Sequence, residues 1–176
     1  MQQLTSFIMT IVIDIQRVID HTYRRIVGLP QLKRSQITGE VFLGGQYGIH
    51  AVTTMEKLGI TGIVNMRTRG LYDAELQNKF HILNLPTPDL HAPSIENLQK
   101  GVAFIDKQIK QKGKVYIHCH HGEGRGASMV IAYLISQGMT YDDAFAHVKK
   151  VRTFIRPTAV QVKRLREFAK LYELKK

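Results

Sequence analysis

Residues 115–128, Val-Tyr-Ile-His-Cys-His-His-Gly-Glu-Gly-Arg-Gly-Ala-Ser, constrain the fold more than any other stretch of this chain. An apolar strand runs into a loop with glycines at 122 and 124, and a helical pattern begins immediately after Arg125. In open α/β sheets, ligands meet the carboxyl ends of the strands, and anions settle on backbone N–H groups at a helix N-terminus. The order of elements around this junction agrees. Strands are expected at residues 41–43, 60–66, 80–85 and 114–118. Helices are expected at 49–58, 94–112, 126–137, 140–151 and 157–174. Ser94 is the expected cap of the second of these, and Pro157 opens the last. Residues 67–79 are mixed and charged and resist assignment. Strand–helix alternation predicts a single α/β domain, with a mostly parallel central sheet of four to five strands flanked by helices.

A chain of 176 residues is long enough for one ordinary domain and hardly for two. With 44% apolar and 22% charged residues it is neither a disordered chain nor a coiled coil. One cysteine excludes a disulfide framework and fits an intracellular, reducing compartment, either cytoplasmic or peripherally membrane-associated. Twenty-five Lys and Arg against 14 Asp and Glu give a formal charge of +11. That balance favours anionic partners: phosphate esters, anionic lipid surfaces or nucleic acid. Nucleic acid is not expected, because charge is its only support and no recognition module accompanies it.

Ahead of this domain, residues 4–26 repeat apolar groups at Leu4, Ile8, Ile11, Ile15, Val18 and Ile19, with Phe7 and Val12 widening the stripe. This is helical spacing. Asp14, Arg17, Asp20, Arg24 and Arg25 fall largely on the other side, and Gly28 and Pro30 end the pattern. Residues 1–30 are therefore expected to form an extra N-terminal amphipathic helix, ahead of the α/β domain at 31–176. The ordinary outcome for such a stripe is burial against its own domain. The sharper one is a helix lying on a membrane interface. The run 11–13 falls far short of the ~20 apolar residues of a spanning helix. The absence of a basic leading region and of a small-residue cleavage site suggests a segment of the mature protein.

The strand delivers Cys119 into the loop. Loop N–H groups, the start of the helix and the Arg125 guanidinium surround one thiol, and all favour its thiolate. Arg125 can clamp two phosphate oxygens with its planar fork. A thiolate held against a phosphate-sized site is a nucleophile for phosphoryl transfer. The plain alternative, a small buried hydrophobic residue, suits a Gly-rich strand end poorly. His118, His120 and His121 beside Cys119 raise the question of zinc. Neighbouring strand residues point to opposite faces, and no second ligand pair follows at zinc spacing, so neither metal nor cofactor is expected.

The Cys119-x5-Arg125 segment resembles the signature of the cysteine-dependent protein tyrosine phosphatases in their small dual-specificity form. Gly44-Gly45, residues 64–67, Pro88-Asp89 and residues 155–157 fall where those enzymes carry similar segments. Residues 97–102 and the late Arg-Pro segment are most similar to the mitochondrial phosphatidylglycerophosphate phosphatase subgroup. The resemblance implies that Cys119 forms a phosphocysteine, that Arg125 holds the equatorial oxygens, and that an upstream loop Asp protonates the leaving group. Asp89, thirty residues before Cys119, is the candidate acid, with Asp73 as fallback. As a plain residue, Asp89 would be a turn former after Pro88. His118 orients the loop in the family. His120, His121, Gly122, Glu123, Gly124 and Gly126 would surround the substrate phosphate, and Ser128 would support the loop.

Three departures stand out. Gly126 replaces the Ser or Thr whose hydroxyl assists phosphocysteine breakdown, and Ser128 need not reach. Slow hydrolysis of the intermediate follows. Glu123 puts a carboxylate on the loop, unwelcome to highly charged inositol phosphates unless it points outward. Thr158 replaces a common Asn, which puts a structural hydrogen bond in doubt. The implied substrate is a phospholipid or a phosphoprotein, with a lean to lipid and peripheral contact with anionic membrane. The alternatives are a phospho-ligand binding module with weak turnover, and a sulfur-handling or arsenate-reducing domain, which Asp89 and Arg156-Pro157 argue against.

Overall fold

The apolar runs in the second half of the chain assemble around one buried strand. In the computed structural model, which describes residues 2–69 and 74–173, four parallel strands form a single sheet. They are β1 Val41–Gly44, β2 Ile60–Asn65, β3 His81–Asn84 and β4 Lys114–His118. Their order across the sheet is β1-β4-β2-β3. β4 is therefore central, paired with β1 from Val41↔Val115 to Gly44↔His118 and with β2 up to Asn65↔His118. Alternation along the strands separates two cores. Val41, Leu43, Val64, Val115 and Ile117 pack on one side, beneath the helices α4 Ile95–Lys110, α5 Arg125–Ser136, α6 Tyr141–Val151 and α7 Ala159–Glu173. Phe42, Ile63 and Tyr116 face the other, smaller cluster with Met55 of α2 (Val52–Lys57) and Leu76 of α3 (Ala74–Lys79). α5 is buried from Arg125 through Ile135, and most of its side chains there are apolar, as expected of a helix enclosed by other elements.

Local signals place two helix starts. The Ser94 hydroxyl accepts from the Asn97 N–H at 3.1 Å and starts α4. Thr140 does the same for α6, accepting from Asp143 N–H at 3.1 Å. The unassigned stretch 67–79 contains the short helix α3. Asp73 lies outside the described residues.

The N-terminal helix, α1 Gln2–Val27, corrects an expectation. Its apolar stripe does not pack on the domain: Leu4, Phe7, Ile8, Ile15 and Val18 are each more than half exposed. The polar face does the packing. Asp20, fully buried, pairs with Arg152 at 3.0 Å. Thr153 donates to Gln16 at 2.6 Å, Arg17 pairs with Glu123 at 2.9 Å, and Arg24 donates to the Gln46 carbonyl. The physical reason is electrostatic. The domain offers α1 buried charges and loop carbonyls, which need polar partners, and the apolar stripe has none to give.

Candidate active site

β4 ends at His118 in the middle of the sheet, so Cys119 leaves the carboxyl end between β1 and β2. Residues 119–124 turn back, and α5 begins at Arg125 with Gly124 as its N-cap. Gly124 supplies no side-chain cap, so the first N–H groups of α5 are not covered by one. Gly122 makes the turn possible. Its φ is +72°, and a Cβ there would lie 2.3 Å from the Gly44 carbonyl oxygen, so only glycine fits. Its N–H then donates to the Cys119 sulfur at 3.3 Å.

Opposite the loop, residues Pro86 to His91 carry Asp89. Arg125, only 5% exposed, donates from Nη1 to the Thr87 carbonyl at 2.9 Å, and its Nη2 lies 2.8 Å from Asp89 Oδ1. Asp89 itself is 73% exposed at the side chain. Cys119, Arg125 and Asp89 thus line one pocket of about 290 Å³, with His120, His121, Glu123 and Gly124 from the loop. Arg17 of α1 and Arg156, Thr158 and Gln161 near the start of α7 complete it. The Asp89 loop is tied down from that side. Thr158 donates to the Leu90 carbonyl at 3.0 Å and Gln161 to the His91 carbonyl at 2.8 Å. Threonine therefore supplies an anchoring hydrogen bond at the position where its presence raised a doubt.

Other expected site residues take different places. Gly122 and Gly126 are buried and do not line the pocket. Ser128 donates to the Gly124 carbonyl at 3.0 Å, closing the first turn of α5. Glu123 lines the pocket, but its carboxylate is held by two residues of α1. Its carboxylate receives Arg17 Nε at 2.9 Å and lies 3.0 Å from His21 Nε2. Burial alone would raise its pKa, but the hydrogen bonds from His21 and Arg17 outweigh that and hold it below the usual carboxylate range. His21, His121 and Glu123 bring ligand-type atoms within 4.8 Å of one another. The two imidazoles stack with planes only 19° apart, so their in-plane lone pairs run side by side and do not converge on an ion.

Arg152 escaped the sequence reading. It is completely buried, and it donates to the Gly122 carbonyl at 3.0 Å, the His121 carbonyl at 2.9 Å and the Arg34 carbonyl at 3.2 Å. It brackets the loop from behind. Its one sequence signal is an arginine set between apolar Val151 and Phe154, just past a helix end.

Burial lowers the pKa of two histidines flanking Cys119. His118 is fully buried, and desolvation pushes its pKa down to about 3 against a hydrogen bond at 3.2 Å in which Nδ1 donates to the Cys119 carbonyl. His121 is lowered to about 4, first by desolvation and then by His120 and His21. An unfolded chain takes up these protons near 6.5, whereas the folded one refuses them. Stability is therefore complete above about 6.5 and falls with acidification, by at most about 1.4 kcal/mol per pH unit for His118 and less for the half-exposed His121. Thermal melts should show Tm dropping between about pH 7.5 and pH 5, with a shallower drop for His118→Gln. A Tm that stays level across this range contradicts the neutral, buried His118.

The family model for the dual specificity phosphatase catalytic domain matches residues 41–171, and the chain belongs to that family. Among its relatives, phosphatidylglycerophosphate phosphatase PTPMT2 of Arabidopsis thaliana is 33% identical over 126 residues, covering 68% of this chain and 55% of that protein. Dual specificity protein phosphatase 1-A of Xenopus laevis is 29% identical over 119 residues, 66% of this chain and 32% of that protein. The chain thus spans about half, or less, of the length of these relatives. Among solved structures, PTPMT1 in complex with PI(5)P matches with a TM-score of 0.74 and 28% identity, over 79% of this chain and 96% of that one. The human tyrosine phosphatase-like serine/threonine/tyrosine-interacting protein matches with a TM-score of 0.69 and 30% identity, over 79% and 97%.

Proposed function

We propose that this chain hydrolyses phosphomonoesters through a phosphocysteine on Cys119, with a phosphorylated lipid as the preferred substrate class over phosphoproteins. One observation carries the reading: the Cys119 sulfur accepts the Gly122 N–H at 3.3 Å inside the pocket where Arg125 meets Asp89 at 2.8 Å. Arg125 exchanges its contact with Asp89 for two phosphate oxygens. The Cys119 thiolate attacks phosphorus, the P–O bond to the leaving oxygen breaks, and the released Asp89 carboxyl gives that oxygen a proton. Water then attacks the phosphocysteine, Asp89 takes its proton, the S–P bond breaks and orthophosphate leaves. The loop N–H groups and Arg125 stabilise the charge on the transferred group in both steps. His118 fixes the loop by its bond to the Cys119 carbonyl. A thiol in this role has to stay reduced, so the site would work in a reducing compartment.

The lipid preference is supported by the relative named as a phosphatidylglycerophosphate phosphatase and by the similar structure holding PI(5)P. It is supported also by the position of Glu123. With its carboxylate turned onto Arg17 and His21, it adds little repulsion toward an anionic headgroup, and Arg156 stands at the rim. Contact with an anionic membrane would bring such a substrate to the pocket.

A second reading, a phospho-ligand binding module with little turnover, is favoured by Gly126 and by the likeness to the phosphatase-like interacting protein. Para-nitrophenyl phosphate separates the two. Turnover by the wild-type chain that disappears in Cys119→Ser is the expected result, and binding without turnover in either favours the module. Across phosphatidylglycerophosphate, monophosphorylated phosphoinositides and phosphotyrosine peptides, kcat/KM should be highest on a lipid. A peptide preference overturns the lipid assignment.

A further inference from the structure

We infer that the outward apolar face of α1 is a docking surface for an anionic bilayer, and that it seats the pocket mouth at the lipid headgroups. The inference rests on the lipid reading of the site and adds the surface and the orientation by which the substrate is reached.

α1 divides its residues with unusual strictness. Its charged residues before Arg25 are engaged with the domain: Asp14 with Arg156 at 3.6 Å, Arg17 with Glu123 at 2.9 Å, Asp20 with Arg152 at 3.0 Å, and Arg24 with the Gln46 carbonyl. Residues 2–13 contain no Asp, Glu, Lys or Arg. The outer face keeps Leu4, Phe7, Ile8, Ile15 and Val18 at 64, 63, 52, 54 and 64% exposure. From Leu4 to Val18 the stripe runs about 21 Å along the helix, a continuous apolar surface of the kind that marks an interaction site.

Three features identify the partner as a bilayer rather than a second copy. The stripe ends on a cation: Arg25, expected with the polar residues, is exposed and follows Val18 by seven residues, on the stripe's side of the helix. With a formal charge of +11, this suits anionic headgroups and disfavours self-association. Among the described residues no helix is long and apolar enough to cross a membrane, so α1 would lie in the plane of the interface. Finally, the inner face of the same helix supplies Arg17 to the pocket wall. A helix sunk by its outer face at the headgroup level therefore carries the pocket with it.

The test uses the full chain and the double variant Phe7→Glu/Ile15→Glu, whose side chains are exposed and take part in none of these ion pairs. Flotation with phosphatidylglycerol-containing vesicles should fall at least about tenfold in the variant, through lost apolar burial and added like charge. Hydrolysis of vesicle-borne phosphatidylglycerophosphate should fall with it, while turnover of soluble para-nitrophenyl phosphate stays within about twofold. Wild type should float less with pure phosphatidylcholine. A variant that floats as wild type overturns the docking surface. So does a wild type that fails to float and sediments as a dimer which the variant splits, because the stripe is then a contact between copies. Absence of para-nitrophenyl phosphate turnover in wild type strikes the phosphatase reading alone, and flotation still decides the surface.

Discussion

Arg152→Met is expected to lower the unfolding free energy by about 3–5 kcal/mol, the range for removing one partner of a buried ion pair. Arg152 and Asp20 are both 0% exposed at the side chain and lie 3.0 Å apart. Methionine fills much of the volume but leaves the Asp20 carboxylate without its cation, in a place water does not reach. It also strips the Gly122 and His121 carbonyls of the donors at 3.0 and 2.9 Å that hold the loop from behind. Stability and turnover should therefore fall together. Adding Asp20→Leu separates the two effects: it removes the orphaned charge and recovers part of the stability, while the loop carbonyls stay unpartnered and kcat stays low. Denaturant midpoints and para-nitrophenyl phosphate kinetics on wild type and the two variants check this. An Arg152→Met chain as stable as wild type contradicts the buried bracket.

Arg125→Lys should leave the fold intact and lower kcat by ~10²–10³-fold, the scale for losing one preorganised donor to a transition-state oxygen. The guanidinium now reaches the Thr87 carbonyl at 2.9 Å and Asp89 at 2.8 Å from two different nitrogens. A phosphate would use the same planar fork. Lysine offers one compact charge, which cannot span two oxygens or hold both loop contacts. The loss should appear in kcat more than in KM, because the bidentate clamp tightens as charge builds on the transferred group. A variant retaining more than about a tenth of wild-type kcat contradicts that role.

Much of the site was legible because its determinants are local. The run from Val115 to Ser128 encodes strand, turn and helix in order, and each part depends on near neighbours. Asp89 was reachable only through the family resemblance, which expects an acid on a loop some way upstream of the cysteine. What stayed hidden depends on contacts between distant segments. Periodicity shows that α1 has two faces but not which one the domain covers, and Asp20 and Arg152 decide that from opposite ends of the chain. The same holds for Glu123, whose carboxylate is held by Arg17 and His21 from the far end of the chain. Nor does an isolated Gly122 announce that the Gly44 carbonyl, from another strand, forbids a Cβ. Thr158 became an anchor only once Leu90 lay beside it.

Gly126 gives the chemistry its most direct readout. No hydroxyl follows Arg125, and the Ser128 hydroxyl is engaged by the Gly124 carbonyl, so breakdown of the phosphocysteine should be the slow step. Wild-type chain mixed rapidly with para-nitrophenyl phosphate should release a burst of para-nitrophenol close to one equivalent. Acid quenching within the burst should show, by intact and peptide mass, one phosphoryl group on Cys119. A linear trace with no adduct, or an adduct that persists in Cys119→Ser, would contradict the nucleophilic cysteine on which the account depends.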